Sequence, residues 1–514
     1  MNRFGARWIA LPVLGLSVFS VGAAAQTPDT RLETTRAKSE AATPAAMAPI
    51  AKDRLFGAIP VSTKSETARQ LVEMALEKYE NYQLDEAVAF AHKATVEDSR
   101  FALAYAVWSF TGRLEQPSLE ALHKAQALAP KGTAEEQLLV RWMTGVQEND
   151  ALPAISAMND LLARYPKQKH VLYLMAEWTY SQGDYERAQD LAENVLKIDP
   201  NFAPVMNLLG YSYIQGKTPN PAKAVGMLSR YAAAQPRLAN PQDSLGEVFR
   251  MTGDDQSAIQ HFSAALKIIP NYITSQEGLG DTYLLMGDTT RARQEYDKAT
   301  PMATNARDAM HVEYQRDLTY FWEGKQSDGL AALAALGAKA KVKKEPYARY
   351  EAGFGRALLL SGGDQQLQAL GELETWLQKS QQGLTERDRN AYLAAVIREE
   401  VRIVSQMHQA DVAEYNLHKL EELAGKTRDA VIENCFESAH GFALFGTGDY
   451  ANAVDELSTD PHSLLVLKKY VEAEEKLGRT AEAAEARNRM KYLRAASAEW
   501  YLVSQTDVKQ TAAK

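Results

Sequence analysis

Apolar residues recur along most of this chain with a period near 3.6, the spacing that gathers them on one face of a helix. The pattern sets in at Leu71, Met74, Ala75 and Leu76, after Thr63-Lys64-Ser65-Glu66, whose spacing is that of a capping box. Every apolar pattern that follows has the same period, so the chain is predicted to be all-α, with no sheet. Before residue 63 the character differs. Residues 26–62 contain Pro28, Pro44, Pro49 and Pro60 and few large apolar side chains, which predicts a flexible linker.

Within the helical region the chain repeats itself. A small residue recurs at Ala87, Ala121, Ala154, Ala188, Ala224, Ala258 and Ala292, at intervals of 34, 33, 34, 36, 34 and 34. Prolines at Pro166, Pro200, Pro236 and Pro270 follow at 34, 36 and 34. Both series lengthen together at Gly216-Lys217-Thr218-Pro219-Asn220-Pro221, a turn with two extra residues. Each unit reads as helix–turn–helix. Gly183-Asp184, Gly253-Asp254 and Gly287-Asp288 supply a glycine where one helix stops and an aspartate to cap the next. Ala188, Ala258 and Ala292 are small where two helices cross, and Gly210, Gly246 and Gly280 are expected opposite them. A glycine inside a helix costs about 1 kcal/mol against alanine, and close packing is the compensation. Phe262 and Tyr296 take matching places on the second helices.

Beyond residue 300 the register weakens but returns. Tyr320, Gly324, Gly329 and Leu333 suggest a drifted unit, Gly448-Asp449-Tyr450 with Ala453 restates the turn, and Gly478 with Ala483 restates it again. Glu386–His408 reads as one long helix. Residues 63–344 are assigned to a repeat array, 345–503 to further helical hairpins, and 504–514 to a polar, frayed tail.

Gln182-Gly183-Asp184-Tyr185-Glu186-Arg187-Ala188, ending in Lys197-Ile198-Asp199-Pro200, resembles a tetratricopeptide repeat. The units ending at Pro236 and Pro270 and the one around Ala292 resemble it closely. Those around Ala87, Ala121 and Ala154 are degenerate, with Lys78 and Gly112 where the family favours a large aromatic. The resemblance implies an α-α superhelix of antiparallel helix pairs whose first helices line a concave groove. Carried onto this chain, the groove positions are His170, Tyr173, Glu177 and Tyr180; Asn207, Tyr211 and Gln215; Asn240, Asp243, Glu247 and Arg250; and Glu277 and Asp281. Chaperone-binding members of the family hold a terminal carboxylate there with lysine and asparagine. This sequence places Tyr, Asn, Asp and Glu at the first clamp position of successive units. It offers instead carboxylates beside tyrosines, a surface suited to an extended protein segment carrying Lys or Arg.

Charge and candidate chemistry narrow the function further. The chain has 514 residues, with 57 basic and 66 acidic side chains. An acidic chain without a basic stripe is a poor ligand for nucleic acid, whose binding depends on displacing phosphate counterions. Lys339, Lys341, Lys343 and Lys344 are expected in a solvated inter-helix loop. Arg3 and Arg7, the apolar run Trp8–Val21 and Ala23-Ala24-Ala25 read as a cleavable signal peptide over residues 1–25. That predicts a periplasmic or extracellular protein with no transmembrane segment in its mature chain, because the run is shorter than the roughly 20 residues a spanning helix needs. Cys435 is the only cysteine and lies on an apolar helical face, so it is read as a buried small hydrophobe.

None of the nine histidines forms an i, i+3 or i, i+4 pair with another, and no His-Glu-x-x-His, Gly-x-Ser-x-Gly or phosphate-cradling loop occurs. Glu372 with Glu374, and Glu399 with Glu400, are read as solvated helix faces. No metal, cofactor or catalytic residue is therefore predicted, and nothing sets an oligomeric state. The sequence favours a non-enzymatic scaffold or adaptor for protein partners in cell-envelope assembly or secretion. The alternative is a helical-repeat enzyme, for example a wall-polymer hydrolase, with its site in residues 345–503.

Overall fold

The computed structural model describes residues 54–112, 116–148, 150–379, 383–460 and 463–512. The expected signal peptide, and the expected linker up to residue 53, lie outside the described residues. Among the described residues there is no strand, and the helices follow one another as twelve antiparallel pairs. Units 1 to 4 are Glu66–Glu80 with Leu84–Glu97, Ala102–Thr111 with Gln116–Leu128, Ala134–Gly145 with Ala151–Arg164, and Lys169–Ser181 with Tyr185–Ile198. Units 5 to 8 are Ala203–Gln215 with Pro221–Ala234, Asn240–Thr252 with Asp255–Ile268, Ile273–Leu285 with Thr289–Ala299, and Ala306–Trp322 with Gln326–Lys343. Units 9 to 12 are Pro346–Leu359 with Gly363–Lys379, Glu386–Gln406 with Ala410–Thr427, Ala430–Thr447 with Tyr450–Leu457, and Leu464–Lys476 with Thr480–Met490. A single turn, Lys491–Leu493, and a closing helix, Ala498–Ala512, complete the chain. The architecture is an α-α superhelix of the tetratricopeptide type.

Local chemistry explains the turns. Gly183, Gly253 and Gly287 have φ of 77°, 81° and 82°, the left-handed conformation that ends a helix without a Cβ clash. Asp184, Asp254 and Asp288 then accept hydrogen bonds from the backbone N–H of Arg187, Ser257 and Arg291, capping the second helices. The same device recurs at Gly448-Asp449, where Asp449 accepts from the Asn452 N–H.

All seven repeating alanines are buried. The glycines meet a bulkier residue of the same helices most closely. A Cβ on Gly210 would lie 2.5 Å from Leu228, one on Gly246 2.7 Å from Phe262, and one on Gly280 2.5 Å from Tyr296. The glycine receives the large side chain one helical turn beyond each alanine, so two small positions flank one bulky knob.

Several boundaries shift from the sequence reading. Residues 54–62 are docked, not flexible: Leu55 and Ile59 are buried, and Ser62 N–H donates to Glu136 at 2.8 Å. Two large apolar residues four apart suffice to seat that short helix. The first helix of unit 1 starts at Glu66 with Ser65 as its cap, while Thr63 donates to Asp98 at 2.7 Å. Lys339, Lys341 and Lys343 end a helix instead of forming a loop, where their charge complements the carbonyl end of the dipole. The polar tail is helical as far as Ala512. Cys435 is buried as expected.

The glycine contacts yield a paired expectation. Gly246→Ala should overpack against Phe262 and destabilise by roughly 1–3 kcal/mol. Gly226→Ala, on an exposed helix position with no neighbour within 4 Å, should stabilise by up to about 1 kcal/mol. Denaturant melts of both variants check this, and a Gly246→Ala protein at least as stable as wild type would contradict the packing described.

Candidate functional site

The thirteen groove residues lie on one face of four successive first helices, but that face is not an open wall. Ten are buried, and Glu177, Asn240 and Glu247 are half-buried. The reason is visible in their partners, because each unit hydrogen-bonds to the next. Tyr180 OH donates to Gln215 Oε1 at 2.6 Å, from unit 4 to unit 5. Tyr211 OH donates to Glu247, joining units 5 and 6. From unit 6 to unit 7, Arg250 Nη1 donates to Asp281 Oδ2 at 2.5 Å and Ser275 Oγ donates to Asp243 Oδ1 at 2.5 Å. Tyr296 OH reaches the other Asp281 oxygen at 2.8 Å. Asn240 lies between the hydroxyls of Tyr231 and Tyr272. Unit 8 continues the series to unit 9 through His311 Nδ1 and Glu351 Oε1, 2.8 Å apart.

The near side of this face is covered by unit 1. Glu80 meets His170 Nδ1 at 2.5 Å, with both side chains buried. Tyr82 takes the turn position that glycine fills elsewhere, with φ of 58°. Its ring runs inward beside Tyr173 and Asn207, close enough to feel the Glu177 charge. A tyrosine at positive φ is uncommon, and the interior contact offsets its strain.

Burial changes the electrostatics. Desolvation raises the carboxyl groups of Asp243, Glu247 and Asp281, while Arg250 opposes the shift at each of them. Glu277 is pushed up to about 8, mainly by burial. Burial alone would lower His311, but Glu351 beside it raises it to about 10. The row expected to be an ionised lure for a basic peptide is therefore paired internally or holds its protons. The cavity among Asp243, Arg250, Glu277, Asp281, His311 and Gln315 has a volume of about 20 Å³. That admits about one water molecule, and ligand sites ordinarily take several hundred Å³.

A wider opening lies elsewhere. The loops before units 4 and 5, with Ala58 at their edge, form an open cleft of about 560 Å³. Tyr165, Pro166 and Ile198 give it an apolar floor and Lys167 a positive rim. Lys169 is tied to Asp199 at 2.7 Å and lies over the Phe202 ring.

The second half contains a buried ionic group that sequence reading missed. Arg398 and Glu399 are fully buried on the long helix of unit 10, where Arg398 Nη1 meets Asp460 Oδ2 at 3.0 Å and Glu399 holds Arg402 at 2.6 Å. Glu400, also buried, lies against Lys419 and Glu374, and burial pushes it up to about 7. The reading of Glu399 and Glu400 as a solvated face is thus corrected. The available signal was their place inside a long helix with apolar residues on every side. Beside this group, burial pushes the Cys435 thiol up to about 12, so it stays a protonated packing residue. Among the described residues no three His, Cys, Asp or Glu side chains are arranged to hold a metal ion, and no helix is long and apolar enough to cross a membrane.

No protein-family model matches this chain, and no curated protein matches it. Solved structures similar to it include a tetratricopeptide repeat protein from Parabacteroides merdae, 14% identical with a TM-score of 0.34, covering 53% of this chain and 92% of that one. MamA is 23% identical with a TM-score of 0.27, covering 34% of this chain and 95% of its own. PilF from Pseudomonas aeruginosa is 17% identical with a TM-score of 0.29, covering 40% and 97%.

Two measurements test the buried row. Asp281→Asn leaves Arg250 with Glu247 alone, 3.4 Å away, and should destabilise by about 3 kcal/mol, seen as an earlier melt. Glu277, facing His311, Asp281, Asp308 and Glu351 with Asp243, Glu247 and Arg250 nearby, is raised from 4.5 to about 8. Above pH 4.5 the unfolded chain releases this proton while the folded chain keeps it, so stability falls as pH rises through about 8. His311, raised from 6.5 to about 10, acts in the same direction. The melting temperature should drop between pH 5 and pH 9, and Glu277→Gln should flatten that drop. Parallel profiles for the two proteins would show that Glu277 ionises freely in the fold.

Proposed function

We propose that this chain is an exported scaffold, acting in the periplasm or outside the cell, that holds protein partners on its outer surface and loop edges. The observation that carries the reading is the contrast between the two concavities. The inner face is internally paired, and its cavity among units 6 to 8 admits about one water molecule, whereas the open cleft of about 560 Å³ suits an extended segment that places an apolar side chain on Tyr165, Pro166 and Ile198. A scaffold in envelope assembly or secretion needs a stiff frame with such edges. The uninterrupted hairpins between residues 345 and 503, among those described, support this over a wall-polymer hydrolase, which would be favoured by a compact non-helical insertion.

Export and binding are separately testable. Mass spectrometry of the secreted or periplasmic protein should find a mature start at Gln26; an intact Met1 would contradict export by this signal. The mature protein should capture a defined partner from envelope extract by cross-linking. With that partner identified and purified, Tyr165→Ala with Ile198→Ala should weaken binding about tenfold or more, and Glu277→Gln should leave it unchanged. Equal affinity for all three proteins would place the partner away from the cleft and remove this reading of it.

A further inference from the structure

The end of the chain returns to its middle. Arg489, buried in the last turn of unit 12's second helix, donates from Nη2 to the Gln215 carbonyl oxygen at 3.4 Å. Arg494 donates from Nη1 to the Arg250 carbonyl oxygen at 2.8 Å and to Asp255 Oδ1 at 2.6 Å, and from Nη2 to Asp255 Oδ2 at 3.0 Å. Between them Tyr492 packs against the apolar cluster that includes Leu172, Tyr185 and Met251. Residues 489–494 thus cross the turn edges of units 4, 5 and 6 as a strap.

The receiving edge has a chemistry of its own. Gln215 and Arg250 lie in the last turns of two first helices, where carbonyl groups carry the negative end of the helix dipole. Asp255 opens the following helix and takes the Arg494 guanidinium with both oxygens, the paired geometry in which arginine outdoes lysine. An apolar socket for one aromatic ring separates the two positive positions.

We propose that this edge is a docking surface for a protein segment that presents two arginines about an aromatic residue in a short helical turn, as the strap does, and that the C-terminal strap is its built-in competitor. The proposal rests on the reading of the chain as a protein-binding scaffold but uses a different surface from the open cleft. A partner of this kind displaces the strap, taking over the Asp255 carboxylate and the Gln215 and Arg250 carbonyls. While tethered, the strap has an effective concentration in the millimolar range, so free segments bind the closed protein weakly.

The test uses the full chain and a labelled synthetic peptide with the sequence of residues 487–498. Tyr492→Ala with Arg494→Ala should speed amide hydrogen exchange over residues 491–497 and bind the peptide at least about tenfold more tightly than wild type. Adding Asp255→Asn should cost that gain, and a peptide with both strap arginines replaced by lysine should bind more weakly. The charge exchange Asp255→Arg with Arg494→Asp, whose fold circular dichroism checks, should restore slow exchange and abolish binding of the arginine peptide. Unchanged exchange in the loosened variant would overturn the proposal. So would absent peptide binding, or binding indifferent to Asp255. Partner capture through Tyr165 and Ile198 would survive any of these results, which separates this failure from failure of the scaffold reading.

Discussion

Burying a polar or ionisable side chain is costly unless it finds a partner or, for a carboxylate, a proton, and the inner face of this chain meets that cost between neighbouring units. Each first helix supplies the partner for the next: Tyr180 to Gln215, Tyr211 to Glu247, Arg250 to Asp281. At Glu277, where burial outweighs the nearby His311, the proton stays. The coil can then tighten until Glu80 and Tyr82 of unit 1 reach the residues of units 4 and 5. A looser coil would solvate the same side chains and make the groove that their sequence positions suggest.

The frame itself was legible because its determinants are local. A glycine that ends a helix, an aspartate that starts the next, and an alanine at each crossing recur with a spacing that one helix pair dictates. Even the small departures are local: the glycines at 210, 246 and 280 meet most closely the large side chain one helical turn beyond each alanine. The thirteen groove positions fall, in the structure, on buried or half-buried faces of four successive first helices. What could not be read was what lies opposite them. The partner of His170 is 90 residues away, that of Arg398 is 62, and that of Arg494 is 239. Periodicity gives direction but not distance across a superhelix, and curvature is a sum of many small inter-unit rotations. Glu399 failed for the same reason, since the reading that made it solvated had no access to Asp460 or to the burial of Arg398.

With one buried thiol and no second cysteine, the chain has no disulfide to hold its coil closed. Stability rests on packing between neighbours together with a few contacts between distant units. Those distant contacts are polar at the edges: the Arg387 N–H to the Gln147 carbonyl at 3.3 Å, and the arginines of the last turn to units 5 and 6. Tyr501, lying on Phe321 and Trp322, adds an aromatic one.

The contact between unit 3 and unit 10 has a mechanical meaning. An open solenoid under tension behaves as a soft spring, because each hairpin can rotate slightly against its neighbour and the small angles add along the axis. Here successive coils touch, so those rotations are blocked until the bridges at Gln147, Gln215 and Asp255 give way. Below that load the body is stiff in extension, and it passes force between whatever is attached to its ends.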